Sequence, residues 1–268
     1  MNVLWAGSPE SYALTLEARR KLEARISSEP ALAREAAPVP YQRVGTVGVV
    51  GIQGSLIKGS AGWMQMYGVT GYDDIGAAVI AALQDQEVKS ILYSVNSPGG
   101  AVEGIDSALS LIRMAKNTKP SSVFTDGMAS AALWLGSAAG HITASRFASV
   151  GSVGAVATVR NMAKMYDDMG IKTEVIRSDP DKMAYTPYEE LTEEARAHIE
   201  EMVQTVRDMF VADLSVNYGM KESVIKATFG AGRVFLAEEA LSRKMVHAVG
   251  DMSAALAKSQ RLGAAKKK

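Results

Sequence analysis

Lys89-Ser90-Ile91-Leu92-Tyr93-Ser94-Val95-Asn96-Ser97-Pro98-Gly99-Gly100 is the stretch on which the fold turns. Residues 89–95 read as a short strand, rich in apolar and aromatic side chains, that runs without a linker into Pro98-Gly99-Gly100. There proline fixes φ, and the two glycines admit backbone conformations and a close approach that a Cβ would obstruct. A helix follows over 101–114. Strand, tight turn and helix form the unit of an α/β fold with a largely parallel sheet, and such sheets receive ligands at the C-terminal ends of their strands. Taken alone, the motif is also compatible with a plain Pro-Gly turn between two elements.

The same alternation extends in both directions. Downstream lie a strand at 121–125, then Asp126-Gly127-Met128-Ala129-Ser130-Ala131-Ala132-Leu133-Trp134, a glycine turn opening onto a helix of small residues. A strand at 141–144, the turn Val150-Gly151-Ser152-Val153-Gly154, a helix at 161–169 and a strand at 172–176 come next. That last strand leads into the proline-bounded loop Ser178-Asp179-Pro180-Asp181-Lys182-Met183-Ala184-Tyr185-Thr186-Pro187. The longest helix, 192–218, has Thr192-Glu193-Glu194-Ala195 as a start signal and Gly219 as a stop. Helices at 221–228 and 236–244 flank a strand at 233–235. Upstream, β-branched Val47, Val49, Val50 and Ile52 mark a strand within 44–57. Residues 67–72 read as a loop, and 73–84 as a helix with Ile75, Val79, Ile80 and Leu83 inward.

Three segments result. Residues 1–43 are expected to form a helical arm and linker, with a charged helix over 12–26 and Ala36-Ala37-Pro38-Val39-Pro40 as the tether. The arm reads either as a solvated surface helix or as an assembly or autocleavage arm. Residues 44–252 form the main domain, and 253–268 a flexible basic tail that frays.

Composition narrows the function classes. Basic and acidic side chains balance at 29 each, so no global field favours nucleic acid or an anionic membrane. With no cysteine there is no disulfide framework, thiolate nucleophile or cysteine-bound zinc. No apolar run reaches the roughly 20 residues of a spanning helix, and Glu10, Glu17 and Glu23 interrupt any signal-like N-terminus. A cytoplasmic protein without membrane anchor, cofactor or metal is expected.

Serine hydrolysis of an amide needs a nucleophile, a base and donors for the developing oxyanion. Ser130 stands where a strand gives way to a helix, beside the free N–H of Ala131 in the first helical turn. An ordinary N-cap serine would look the same. Gly99 and Gly100 can present backbone N–H groups at the end of the neighbouring strand. Lysine in water, with a pKa near roughly 10.4, is no base at neutral pH, but burial among apolar neighbours makes it one. Met183, Ala184 and Tyr185 could bury Lys182 in this way, and Ser152 could accept a hydrogen bond from its amine. The bland alternatives are a solvated loop lysine and a turn serine. His141, His198 and His247 are read as structural or surface residues, since nothing marks any of them as a base.

These stretches together resemble the signal peptide peptidase A family of serine peptidases, relatives of the Clp protease subunit. The resemblance covers residues 44–252 and rests on Gly48-Val49-Val50-Gly51-Ile52-Gln53-Gly54-Ser55, Asn96-Ser97-Pro98-Gly99-Gly100, Gly127-Met128-Ala129-Ser130, Gly151-Ser152-Val153-Gly154 and the Lys182 loop ahead of Leu191-Thr192-Glu193-Glu194. The separation of Ser130 from Lys182 is similar to the family's spacing. The resemblance implies a ClpP/crotonase-like α/β fold of repeated β-β-α units. It also implies Ser130 as nucleophile, Lys182 as general base, Ser152 as the residue orienting it, and Gly99 or Gly100 with Ala131 as oxyanion donors. Many members have Gly-Gly-Tyr after the serine where this chain has Ala131-Ala132-Leu133, which keeps the N–H but fills the pocket beside it.

Tyr67-Gly68-Val69-Thr70-Gly71-Tyr72 followed by a helix is similar to the family's phage capsid-assembly branch. The resemblance therefore implies a Ser/Lys endopeptidase that processes scaffold or capsid proteins in phage head maturation. Its setting would be the host cytoplasm or the procapsid, its form a ring-shaped homo-oligomer, and its partners polypeptide substrates rather than nucleic acid. Alternatives are a soluble bacterial peptide-degrading enzyme of the same family, a crotonase-type acyl-CoA enzyme with Glu103 as the only nearby carboxylate, and a non-catalytic assembly component.

Overall fold

Alternation along one strand divides the molecule into two layers on either side of a sheet. Ile91, Tyr93 and Val95 join the main core, whereas Leu92 between them joins a second cluster with Val47, Phe124 and Ala255. The period of two in β structure places successive side chains on opposite faces, and both faces here are apolar because both are covered, as parallel sheets require.

The structure is a computed structural model that describes residues 5–6 and 41–265. In chain order the elements are β1 (Trp5–Ala6), β2 (Gln42–Val44), β3 (Val47–Ile57), a 3-10 turn (Gly62–Tyr67), β4 (Val69–Gly71), α1 (Tyr72–Gln84), β5 (Ser90–Ala101), α2 (Ile105–Thr118), β6 (Ser121–Ala129), α3 (Ala131–Ser137), β7 (His141–Gly151), α4 (Ala163–Asp168), α5 (Glu193–Tyr218), α6 (Glu222–Thr228), β8 (Val234–Leu236), α7 (Ala237–Ser242), β9 (Ala248–Val249) and α8 (Met252–Ala265). The sheet order is β2-β3-β5-β6-β7-β8, with β1 on β5, β4 on β3 and β9 on β7. The central pairs β3–β5, β5–β6 and β6–β7 are parallel. β2, β8 and β1 are antiparallel additions.

Each central pairing shifts register once: between Gln53 and Ser55, between Val95 and Asn96, and between Thr125 and Gly127. A long strand is thereby split into two halves followed by a helix, the β-β-α unit that the resemblance implied. The second halves pass through the glycine-bearing motifs. β5 continues through Pro98-Gly99-Gly100 to Ala101, so α2 starts at Ile105 rather than at 101. β7 likewise runs on to Gly151. A short strand, β4, lies inside the expected loop at 67–72, and Ile80, expected inward, is 41% exposed.

Three expectations are corrected. Residues 172–176 form no strand: Ile171 and Ile176 are exposed, and no sheet edge takes them up. The tail does not fray at Met252. Ala255, Ser259 and Gly263 recur every fourth position on α8 and are buried, and such small side chains let the helix lie close on the sheet. The Ser259 hydroxyl donates to Ser90 Oγ at 3.1 Å, and α8 covers Val47, Leu92 and Phe124. Burying side chains of this size stabilises by about 1.5–3 kcal/mol each. Finally, Trp5–Ala6 is a strand within the arm expected to be helical. The expected helix at 12–26 and the terminal lysines at 266–268 lie outside the described residues.

The long helix is as expected. Thr192 Oγ1 accepts from the Ala195 N–H at 3.2 Å, and Gly219 closes α5 in the left-handed conformation. Among the described residues, no helix is long and apolar enough to cross a membrane.

Candidate active site

Three adjacent parallel strands, β5, β6 and β7, bring their C-terminal ends to one edge of the sheet. Ser97 pairs with Met128, and Ala129 with Gly151. The residues just beyond are Gly99-Gly100, Ser130 and Ser152. Five of the six residues singled out in the sequence (Ser130, Ala131, Ser152, Gly99 and Gly100) therefore converge on this edge.

Ser130 does not behave as an N-cap. An N-cap residue has extended backbone and a side-chain oxygen that accepts from the first helical turn. Ser130 has φ 54° and ψ −124°, and its hydroxyl makes no capping bond. That backbone is unfavourable for any residue with a Cβ. It is the geometry of a sharp strand-to-helix turn that holds a serine out from the chain. Such strain amounts to about 1–3 kcal/mol and persists only where the surroundings impose it.

The surroundings do impose it. The Ser130 N–H donates to the Gly151 carbonyl at 2.8 Å, and its own carbonyl accepts from the Trp134 N–H at 3.0 Å. All seven residues of α3 are buried. A Cβ on Gly136 would stand 2.3 Å from Met128 Sδ, so only glycine lets α3 lie this close to β6.

Behind α3 lies a clamp that sequence reading missed. Trp134 stacks on Phe210 with centroids 4.4 Å apart and planes 6° from parallel, and its Nε1–H donates to Asp213 Oδ2 at 2.7 Å. Arg113 Nη2 donates to Asp213 Oδ1 at 2.5 Å, and both Nε and Nη2 reach Asn217 Oδ1 at 3.2 Å. Asn217 Nδ2 in turn donates to Ser137 Oγ at 2.8 Å. The available signal was Asp213 and Asn217 at i, i+4 on α5, one helical face aimed at an arginine on α2.

Ser152 carries φ 59°, and its N–H donates to the Arg233 carbonyl at 2.7 Å. Among the described residues, four non-glycines have positive φ: Ser130, Ser152, Met183 and Lys244. Three of these coincide with or adjoin the serine, serine and lysine singled out beforehand. Gly99 has φ 100°, and its N–H donates to Ser97 Oγ at 3.1 Å. Gly100 packs so tightly on β3 that a Cβ would meet the Leu56 carbonyl at 2.0 Å.

Lys182 is the exception. The burial expected from Met183, Ala184 and Tyr185 is not present: Lys182 is exposed and Met183 is 53% exposed. Among the described residues, no hydrogen bond joins the Lys182 ammonium to Ser130 or Ser152, and only its backbone N–H is engaged, by the Asp179 carbonyl. Nearby, a groove of about 730 Å³ between residues 155–161 and α5 is lined by Val156, Leu191, Ile199 and Val203. None of the six candidate residues lines it.

The histidines are placed elsewhere. His141 pairs with Ser122 at the start of β6, eight residues before Ser130, or about 26 Å along a strand. Burial, with His247 and Lys258 nearby, pushes its pKa down to about 4. His247 Nδ1 accepts from the Ile142 N–H at 3.1 Å. His198 is exposed on α5. Glu103 is also exposed and faces Lys58 at 4.0 Å. Among the described residues, no cluster of three metal-ligating side chains occurs.

Comparison with known proteins matches residues 113–266 to Peptidase family S49, the family indicated by the signal peptide peptidase A resemblance. The match takes in Ser130, Ala131, Ser152 and Lys182, and leaves Gly99 and Gly100 outside. The chain is 27% identical over 202 residues to capsid assembly protease C of Escherichia phage lambda, covering 75% of this chain and 46% of that protein. It is 26% identical over 192 residues to head-tail preconnector protein GP5 of Enterobacteria phage P21, covering 71% and 38%. The chain thus spans less than half the length of either relative. Among solved structures, a protein from Acinetobacter baumannii described as an enoyl-CoA hydratase/isomerase is similar at TM-score 0.49 and 13% identity, covering 84% of this chain and 80% of that one. The family match covers more than half of the 268 residues and includes the strained serine turn with the elements that impose it, so the chain belongs to Peptidase family S49.

Proposed function

We propose that this chain is a serine endopeptidase with Ser130 as nucleophile and Lys182 as general base. The observation that carries the reading is the Ser130 turn: a buried, strained serine that caps nothing, at the C-terminal edge of a parallel sheet. Its Oγ attacks the substrate carbonyl while its proton passes to the neutral Lys182 amine, oriented by Ser152. The C–O bond forms, and negative charge collects on the former carbonyl oxygen. The Ala131 N–H, free in the first turn of α3, and a backbone N–H of Gly99 or Gly100 stabilise that charge. The Gly99 N–H must leave Ser97 Oγ to serve, and Gly100 stands in the ladder between Leu56 of β3 and Ala6 of β1. Collapse breaks the C–N bond, the lysine ammonium returns its proton to the leaving amine, and water then hydrolyses the acyl-enzyme.

A second copy of the chain completes the base. The loop that carries Lys182 belongs to an exposed apolar stretch with Val156, Met165, Met169, Ile171 and Ile176 on the surface. Covering that stretch would desolvate the amine, the condition under which a lysine accepts a proton at neutral pH. The resemblance to family members that form rings supports this homo-oligomer.

The substrates are polypeptides, and capsid or scaffold chains of a phage head are the favoured class. This part rests on the likeness to capsid assembly protease C and head-tail preconnector protein GP5, and on the 67–72 motif. The test is to incubate the wild type, Ser130→Ala and Lys182→Ala with candidate capsid and scaffold chains and to read intact masses. Cleavage by the wild type alone is expected. Cleavage that persists in Ser130→Ala refutes the nucleophile, and cleavage that persists in Lys182→Ala refutes the base.

A further inference from the structure

Past the Ser97–Met128 pair, β6 leaves β5 and turns into Ser130. The flank of β5 that it vacates is taken by β1, antiparallel, with Trp5 opposite Ala101 and Ala6 opposite Gly100. The other flank of β5 at this level is held by β3, through Ser55 opposite Gly99 and Leu56 opposite Gly100. A strand has two edges, so β1 lies on the side where β6 ran. That is the slot between Gly99-Gly100 and the Ser130 turn. The antiparallel sense fixes direction as well: read from N to C, β1 runs from Ala101 toward Gly99, the candidate oxyanion turn. An extended peptide recognised by adding a strand to a sheet edge is held by the same main-chain pairing.

We infer that the segment containing Trp5–Ala6 is a built-in peptide that occupies the substrate edge of β5 and competes with polypeptide substrate for it. The inference rests on the proposed peptidase reading and adds to it a regulator carried on the same chain. The Ala101 carbonyl accepts from the buried Tyr72 hydroxyl at 2.5 Å. That bond and the β3 pairing at Gly99 and Gly100 hold this edge through contacts that do not involve β1. A two-residue pairing is weak by itself, but tethering raises its effective concentration to about the millimolar range. An arm docked nine-tenths of the time leaves about one-tenth of the molecules competent, raising the apparent KM about tenfold with kcat unchanged.

The experiment uses the full chain with Trp5→Gly and Ala6→Pro together. Glycine weakens a strand, and proline removes an N–H from its ladder. Two readouts are taken. The first is KM and kcat on fluorescein-labelled casein, where KM should fall about tenfold at constant kcat. The second is hydrogen exchange at Gly100, Ala101 and Val102, made in a Ser130→Ala background so that no cleavage intervenes, with the Tyr93 amide of the core as internal reference. Exchange at 100–102 should quicken in the double variant while Tyr93 holds. Unchanged exchange overturns the inference, and so does quickened exchange with an unchanged KM. If Ser130→Ala still cleaves casein, the peptidase assignment of Ser130 fails separately, while the exchange arm still decides whether the segment holds the edge.

Discussion

The Ser130 edge and the Lys182 loop belong to one proposed dyad and could hardly be built more differently. Ser130 is buried, locked by backbone bonds to β7 and α3, and backed by the Trp134–Asp213–Arg113 clamp. Lys182 is exposed, in a loop without regular structure, preceded by Ile176 at 91% exposure. The nucleophile half is finished within a single chain, because its strain has to be held by a rigid scaffold. The base half is unfinished, and an amine in water is a poor base. The contrast teaches that activity should depend on assembly while the geometry of the nucleophile does not.

The largest expected effect separates chemistry from stability on the rigid side. Ser130→Ala should lower kcat by at least about 10⁴-fold with little change in melting temperature, since alanine keeps the Cβ and loses only a hydroxyl that caps nothing. A steady-state assay beside a thermal melt checks this. Next, Lys182→Ala should lower kcat by about 10³-fold and shift stability by less than about 0.5 kcal/mol, as expected for an exposed side chain. Specific activity of the wild type should also rise with protein concentration as copies assemble. An activity independent of concentration down to the lowest measurable level would break the comparison.

Core substitutions sharpen the rigid side. Phe124→Ala removes a buried ring that α8 covers and should cost about 3–5 kcal/mol in urea unfolding. A loss below about 1 kcal/mol would mean that α8 does not hold the sheet. Gly136→Ala drives a Cβ into Met128 and should cost about 1–3 kcal/mol, and kcat should fall with it because Ser130 directly precedes α3. Ile176→Ala, on the loop side, should change stability by less than about 0.5 kcal/mol.

The smallest effect concerns the far end of the sheet. His141 has its pKa pushed down to about 4 by burial, His247 and Lys258. Depression means that the unfolded chain takes up the proton first as pH falls. The stability linked to His141 is therefore present above about pH 6.5 and lost progressively as pH falls toward 4. The drop in melting temperature across that window should be smaller in His141→Asn. Peptidase activity at pH 7 should not change, because His141 stands about 26 Å along the strand from Ser130.

How legible these two regions were follows from the same contrast. Local signals marked the Ser130 edge: Gly127 before the serine, small residues after it, and two further glycine turns at the ends of adjacent strands. What could not be read was that the strands continue through those turns, since the second-half pairings are set by neighbours thirty or more residues away. The clamp behind α3 was hidden for the same reason. The alanine- and lysine-rich tail read as fraying because its composition is polar, although the spacing of Ala255, Ser259 and Gly263 already carried a close-packing face. Lys182 was singled out as a position, but its setting was not readable: Lys182 and Met183 are exposed although apolar residues follow the lysine in sequence. The strand at Trp5–Ala6 was too short to signal itself at all.

The most direct test of the central claim is active-site labelling of the wild-type protein with a fluorophosphonate, followed by peptide mass mapping. A single phosphonyl adduct is expected on the peptide that contains Ser130, lost in Ser130→Ala and strongly reduced in Lys182→Ala. An adduct on a different serine, or labelling undiminished in Ser130→Ala, would contradict it.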